Sequence, residues 1–100
     1  MASSWPRVLQ AADAKIRALE AEVLELEEQS LALREEIEHG MLVLAGTDDP
    51  VTKTVTAEQI EVARRAKIET DATWSLKERE LTYLRQLVAM MRQADGLASR

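Results

Sequence analysis

Apolar residues recur at heptad spacing through the first half of this chain, and no other feature restricts its fold as strongly. The spacing alternates between three and four residues for about five heptads, as it does in coiled coils. A stripe of this kind predicts a long helix that packs along another helix, with knobs fitting into holes. One polar residue, Ser30, interrupts it. The stripe consists of Trp5, Leu9, Ala12, Ile16, Leu19, Val23, Leu26, Ser30, Leu33 and Ile37.

The composition favours long helices over sheets. Hydrophobic residues make up 46% of the 100 residues, but the chain has only two Trp, one Tyr and no Phe, with three Gly and two Pro. A sequence rich in Ala, Leu, Glu and Arg is typical of helical proteins. Two long helices of this total length cannot enclose a globular core of their own. We therefore expect neighbouring chains to supply part of the burial.

The cysteine count and the longest apolar run restrict the chemistry and the location. The chain has no cysteine, which excludes disulfides, thiolate metal clusters and cysteine nucleophiles and is compatible with a reducing compartment. The longest apolar run, residues 41–45, is far shorter than the roughly 20 residues that cross a bilayer. The sequence predicts no membrane span and an intracellular, cytoplasmic location.

An organelle is the alternative location. Arg7, Lys15 and Arg17 outnumber the single acidic residue Asp13 in the first nineteen residues, a balance that also occurs in transit peptides. The heptad stripe runs through this region without a change of register. We therefore interpret the segment as part of the first helix.

The predicted fold class is all-α, with two long antiparallel helices that form a helical hairpin. Ser4 is the candidate N-cap of the first helix. The helix spans residues 5–39 if Gly40 ends it in a left-handed conformation, or 5–45 if it continues, because Leu44 falls back on the heptad stripe. These two ends remain alternatives.

The tip and the second helix follow. Residues 46–56 form the predicted tip, where Asp48, Asp49 and Pro50 favour a turn. Residues 56–59, Thr-Ala-Glu-Gln, fit a capping box, and Val55 and Ile60 occupy the positions of a hydrophobic staple. The second helix is therefore predicted over 57–95, with Gly96 as its stop. The whole chain, 1–100, is one predicted domain.

The tip is also compatible with a small β-hairpin. Residues 41–47 and 51–56 are strand-like, and the second segment alternates as Val-Thr-Lys-Thr-Val-Thr. A helix, a β-hairpin and a second helix resemble the layout of a β-type prefoldin subunit, without a shared sequence motif. The resemblance implies tip strands that join neighbouring subunits into a ring, and a chaperone-like role in binding clients.

The second helix carries two apolar lines. The first runs through Ile60, Ala63, Lys67, Thr70, Trp74, Lys77, Leu81, Leu84, Val88 and Met91 and is most apolar after Trp74, and the second comprises Val62, Leu76, Tyr83, Met90 and Leu97. One partner helix cannot cover both lines, and the first helix adds a smaller second stripe in Leu24 and Leu31. A four-helix bundle made from two hairpins is the simplest way to cover them.

The predicted contact residues follow from these lines. Trp74 and Met91 are expected in the bundle core, whereas Tyr83 and Met90 are the candidates for contact with another subunit. The full predicted set is Leu9, Ile16, Leu19, Val23, Leu26, Ser30, Leu33, Ile37, Trp74, Leu76, Leu81, Tyr83, Leu84, Leu87, Val88, Met90 and Met91.

Charge favours the antiparallel orientation. Eight acidic residues and one basic residue, Arg34, lie between residues 20 and 38, and the net charge of the chain is −5. If the chain folds back at the tip, Lys77 and Arg79 come level with Glu22 and Glu25. Arg64 and Arg65 come level with Glu35 and Glu38. Exposed pairs contribute little stability, but two parallel acidic segments would repel each other.

Candidate chemistry is sparse. His39 follows Glu35 by one helical turn, but one imidazole and one carboxylate are too few for a tight metal site. We predict no metal, no cofactor and no catalytic residue. Arg64, Arg65 and Lys67 form a short basic cluster, for which pairing with acidic residues of the chain is favoured over binding nucleic acid. Ser30 either fixes the register of the seam or leaves room for a large neighbour such as Trp74.

These features predict a non-enzymatic coiled-coil module that binds other proteins, as a scaffold or adaptor subunit of a homo- or hetero-oligomer. Two alternatives remain. One is a prefoldin-like subunit that binds clients, and the other is a small regulator that binds the transcription machinery or nucleic acid.

Overall fold

The computed structural model describes the backbone of residues 5–98 and the side chains of residues 6–96. It contains two helices, α1 (Trp5–Gly46) and α2 (Pro50–Ala98), joined by residues 47–49. The prediction of two long helices is confirmed. Ser4, the candidate N-cap, lies outside the described residues, and so do the side chains of Trp5 and Leu97.

Of the two predicted ends of α1, the longer helix is right. Gly40 lies inside α1, which ends at Gly46. No described glycine has a positive φ, so the left-handed stop expected at Gly40 is not formed. Gly96 does not stop α2 either, since the helix continues to Ala98.

The alternative of a β-hairpin at the tip is wrong. Residues 41–46 belong to α1 and residues 50–56 belong to α2, which leaves three residues for the connection. The β-branched residues at 51–56 favour strands only weakly, and tertiary contacts override such preferences. Thr56 and Ile60 are both buried, and both lie next to Gly40 on the facing helix. The burial of Thr56 and Ile60 on a helix therefore outweighs the preference of residues 51–56 for a strand.

The start of α2 differs from the prediction by seven residues, because Asp49 caps the helix rather than Thr56. The Asp49 carboxylate accepts hydrogen bonds from the Thr52 amide at 3.2 Å and from the Thr52 hydroxyl at 2.6 Å. Pro50 then occupies the first helical position, where a missing amide hydrogen is tolerated. Thr56 lies inside α2 and is only 7% exposed, so the predicted capping box is not formed.

The chain divides into two compact units. Unit 1 joins the start of α1, up to Leu24, to the end of α2, from Ser75 onwards, and unit 2 spans Glu25–Trp74. Within each unit the α1 and α2 segments are antiparallel. In unit 1, for example, Asp13 pairs with Arg92 and Glu20 pairs with Arg85. The antiparallel pairing predicted from charge is confirmed in each unit.

Candidate functional site

The seam of unit 1 buries its apolar side chains between its own two helices. Leu19 is fully buried at 0% exposure, and Leu81 and Val88 are also buried. The side chains around them are half-buried: Leu9, Ile16, Val23, Leu84, Leu87 and Met91. These members of the predicted contact set therefore pack within the chain.

The seam of unit 2 is more polar, with Ser30 and Thr56 buried in it. Ile60 and Ala63 are buried, whereas Leu26, Leu33, Ile37 and Trp74 are half-buried. The two helices pack closely at Gly40. A Cβ atom built there would lie 2.6 Å from Cγ1 of Ile60, which is closer than carbon atoms can pack. The missing side chain of Gly40 therefore lets Ile60 reach the surface of α1.

Three polar side chains form a connected cluster in the seam of unit 2. The hydroxyl of Ser30, which is only 7% exposed, donates a hydrogen bond to Oδ1 of Asp71 at 2.6 Å. The ammonium of Lys67 donates to Oδ2 of Asp71 at 2.7 Å. The hydrogen bond from Lys67, followed by that from Ser30, lowers the pKa of Asp71 below its ordinary value. We call Ser30, Lys67 and Asp71 the polar bridge.

Trp74 lies beside the polar bridge. With Ser30, Lys67 and three other residues it lines a cleft of about 250 Å³. Its indole Nε1 is buried and has no hydrogen-bond partner among the described residues. Both interpretations of Ser30 thus have a structural counterpart, since Ser30 binds across the seam and also borders the cleft beside the large indole.

Ion pairs link the two helices of unit 1. Lys77 pairs with Glu22 at 3.1 Å, which the charge pattern anticipated. The pattern did not anticipate the pairing of Lys15 with Glu80 at 3.9 Å. In unit 2, Arg65 binds Glu61 on its own helix instead of an acidic residue of α1. All these pairs are substantially exposed, so each contributes little stability.

The second apolar lines are exposed. On α2, Leu76, Tyr83 and Met90 of unit 1 are 65%, 64% and 66% exposed. Val62 of unit 2, on the same line, is exposed as well, and so are Leu24 and Leu31 on α1. The structure therefore separates the predicted contact set into a seam occupied within the chain and an outer line in contact with solvent. We call Leu76, Tyr83 and Met90 the outer stripe.

The candidates for metal and nucleic-acid binding are exposed or form ion pairs within the chain. His39 is exposed, and no group of three or more His, Cys, Asp or Glu side chains suited to a metal ion occurs among the described residues. In the basic cluster, Lys67 binds Asp71, Arg65 binds Glu61, and Arg64 is exposed. Neither described helix contains a segment long and apolar enough to cross a membrane.

The sequence pattern does not predict two of the observed contacts. Asp71 lies one position off the apolar line of α2, although Lys67 precedes it by one helical turn and forms an ion pair with it. Asp49 fits a turn, although an Asp followed by Pro50 is also the pattern of an N-cap and first helical position. In both cases a local signal was present.

Comparison with known proteins gives no relative. No protein-family model matches this chain, and no curated protein and no solved structure matches it either.

Proposed function

We propose that this chain is a non-enzymatic coiled-coil module that binds other protein helices, as a scaffold or adaptor subunit of a homo- or hetero-oligomer. The observation that carries the proposal is the outer stripe. Its three side chains, Leu76, Tyr83 and Met90, repeat every seven residues and are each about two-thirds exposed. A sustained seven-residue repeat is typical of a helix that contacts another helix along its length.

The seam and the outer stripe lie on different faces of α2. The seam, with Leu81 and Val88, packs against α1 of the same chain and leaves the outer stripe open. Burial of apolar surface against a partner stabilises an assembly by roughly 25 cal/mol per Å². A helix with one covered and one open apolar line fits a protein that completes its packing in an assembly.

The distribution of polar groups supports a non-enzymatic role. The carboxylates nearest the seam are engaged in ion pairs: Asp71 binds Lys67, and Glu22 binds Lys77. Hydrogen bonds lower the pKa of two carboxylates, Asp71 chiefly through Lys67 and Asp49 chiefly through Thr52. These groups act as structural acceptors.

The two alternatives have less support. The prefoldin-like layout relied on strands in residues 41–56, and these residues are helical apart from the connection at 47–49. A nucleic-acid regulator needs an accessible basic cluster, and two of its three members, Arg65 and Lys67, bind carboxylates of the chain.

Light scattering behind size exclusion, with circular dichroism on the same peak, tests the proposal. The variant is Tyr83→Asp/Met90→Asp, and the matched control is Thr82→Asp/Ala89→Asp, at exposed neighbouring positions off the outer stripe. We expect the wild type and the control to assemble and the variant to become a smaller, equally helical species. Loss of helicity in the variant would instead assign Tyr83 and Met90 to the core.

A hetero-oligomeric role has its own test. Tagged wild type, variant and control are expressed in the source cells, and the proteins recovered with each are compared. We expect a partner that is retained by the wild type and the control and lost from the variant. A stable helical monomer that recovers no partner dependent on the outer stripe would contradict the proposal.

A further inference from the structure

The two flanks of unit 1 differ in polarity. Lys15 pairs with Glu80 across one flank, and Glu22, seven residues after Lys15 on α1, pairs with Lys77 on the same flank. Beside these pairs lie exposed apolar residues from both helices, alanines and Val8 on α1 and large residues on α2. We call this surface the open face; it consists of Val8, Ala11 and Ala18 on α1 and of the outer stripe, Leu76, Tyr83 and Met90, on α2.

The opposite flank is polar. Two ion pairs cross it, Arg92 with Asp13 and Arg85 with Glu20. The exposed residues beside these pairs include one large apolar side chain, Leu24. The others are Gln10, Arg17, Ser75, Thr82 and Ala89. Of these two described flanks, the open face therefore carries more of the large apolar side chains that a further helix could cover.

The side chains of the open face are complementary in size. Large residues project from α2, and alanines on α1 leave room for large residues of a facing helix. We propose that the open face binds the open face of a second copy of this chain, with α2 of each copy lying on α1 of the other. The contact is isologous, so a single two-fold axis parallel to the helices generates both halves of it. This inference rests on the proposed function and specifies its partner.

Ion pairs within the chain show which residues of α1 and α2 lie at the same height along the helices. Lys15 pairs with Glu80 on one flank, and Glu20 pairs with Arg85 on the other, so the register of unit 1 lies between these two pairings. Midway between them, Ala18 lies level with Tyr83. By the same register Ala11 lies level with Met90. A two-fold axis parallel to the helices preserves height, so Tyr83 of one copy would contact Ala18 of the other, and Met90 would contact Ala11.

The charge distribution favours unit 1 as the site of self-association. Residues 6–24 and 75–96 contain seven basic and six acidic residues, whereas residues 25–74 contain five basic and twelve acidic residues. Two copies of the near-neutral unit 1 can approach without net repulsion, but two copies of the acidic unit 2 cannot. Two ion pairs on this flank, Lys15–Glu80 and Lys77–Glu22, are already matched within each chain, so the contact leaves these charges paired.

The side of unit 1 that contains the open face is large enough for a stable dimer. The α1 segment of unit 1, residues 5–24, is about 30 Å long at 1.5 Å per residue. Two packed helices are roughly 20 Å wide. The projected area of this side is therefore about 600 Å² per copy. Protruding side chains add accessible surface to it, so the area buried per copy approaches the roughly 800 Å² of a standard interface.

Charge-reversal mixing tests the predicted pairing of the helices. Ala18→Lys and Tyr83→Glu are purified separately, and light scattering measures the mass of each and of their equimolar mixture. We expect each variant alone to be monomeric. The mixture should form a dimer with one chain of each kind, because the new lysine then faces the new glutamate while the second half of the contact stays wild type. Circular dichroism verifies that each variant is folded.

Matched controls carry the same charges on the opposite flank. Gln10→Lys and Thr82→Glu lie at exposed positions beside the polar flank, and we expect both to remain dimeric. Ala11→Lys with Met90→Glu is an independent second pair, in case a variant of the first pair does not fold. A mixture that stays monomeric would overturn the inference, and so would an Ala18→Lys variant that dimerises as well as Gln10→Lys.

The outcomes separate this inference from the proposed function. If the wild-type chain is monomeric, self-association through the open face is overturned. The recovery of a partner that depends on the outer stripe then decides the proposed function. If Tyr83→Glu abolishes a wild-type dimer and mixing does not restore it, the proposed interaction module stands. The predicted pairing of α2 of one copy with α1 of the other is then overturned.

Discussion

The hydroxyl of Ser30 donates a hydrogen bond to Oδ1 of Asp71 at 2.6 Å and so joins α1 to α2 inside unit 2. The two residues are 41 positions apart in the sequence. Lys67 occupies the second oxygen of the same carboxylate, at 2.7 Å. A polar contact in an apolar seam contributes more to register than to stability, because any shift along the helices leaves its groups unpaired.

Removing Asp71 should cost more than removing Ser30. Asp71→Ala leaves the buried Ser30 hydroxyl without its acceptor and Lys67 without its ion pair, and an unsatisfied buried group costs about 1 to 3 kcal/mol. Ser30→Ala leaves the Lys67–Asp71 pair in place. Urea unfolding followed by circular dichroism measures both, with the exposed Asp48→Ala as the control. Equal losses from Asp71→Ala and Asp48→Ala would show that the polar bridge has no role in stability.

Stability should fall below about pH 4, where aspartates titrate. Hydrogen bonds lower the pKa of Asp71, chiefly the bond from Lys67, and the Thr52 hydroxyl does the same for Asp49. A folded pKa below the unfolded one means that the stabilisation is fully present above the unfolded pKa and is lost as the pH falls through the folded pKa.

The Asp71→Asn variant isolates one part of this pH dependence. Its free energy of unfolding should fall less steeply in acid than that of the wild type, because residue 71 no longer binds a proton on unfolding. Urea titrations at a series of pH values measure the slope. An identical slope in the two proteins would assign the acid sensitivity to other carboxylates.

Gly40→Ala should destabilise the protein although alanine is the better helix former. The new Cβ would lie 2.6 Å from Cγ1 of Ile60, and overpacking of this kind costs about 1 to 3 kcal/mol against a gain of about 1 kcal/mol in helix propensity. Gly96→Ala is the matched control, since nothing lies within 4 Å of its Cβ position, and it should be neutral or stabilising.

A double-mutant cycle locates the cause of the Gly40 effect. In the background of Ile60→Ala, which removes the clashing atom, Gly40→Ala should lose its penalty. Thermal unfolding of the four proteins gives the coupling. A penalty that persists without the Ile60 side chain would contradict the close approach as the reason for glycine at position 40.

Asp49→Ala should lower the melting temperature, because two hydrogen bonds from Thr52 to the Asp49 carboxylate close the first turn of α2. Asp48→Ala, at the adjacent exposed position, is the control and should leave the melting temperature unchanged. Thr56→Ser separates the observed cap from the predicted one. It retains a capping hydroxyl but removes a buried methyl group beside Gly40, so a loss of stability is expected if Asp49 is the cap.

Sequence periodicity by itself determined the helices and their apolar faces. The heptad stripe of α1 contains the buried Leu19, the first apolar line of α2 contains the buried Leu81 and Val88, and the second line of α2 contains the exposed Tyr83 and Met90. Periodicity determines this much because the polarity of side chains at fixed helical spacing decides which face of a helix leaves water. The distribution of charge predicted the antiparallel pairing because two parallel acidic segments would repel each other.

Tertiary structure alone decided the path of the chain near residues 40–56 and the partner of Ser30. Local propensity at Val51 to Thr56 favours strand, but burial of Thr56 and Ile60 against Gly40 stabilises a helix that Asp49 caps. Asp71 reaches Ser30 only because the two helices pack at one register. Contacts between residues distant in sequence depend on the register between the two helices. The spacing of residues along a single helix does not determine that register.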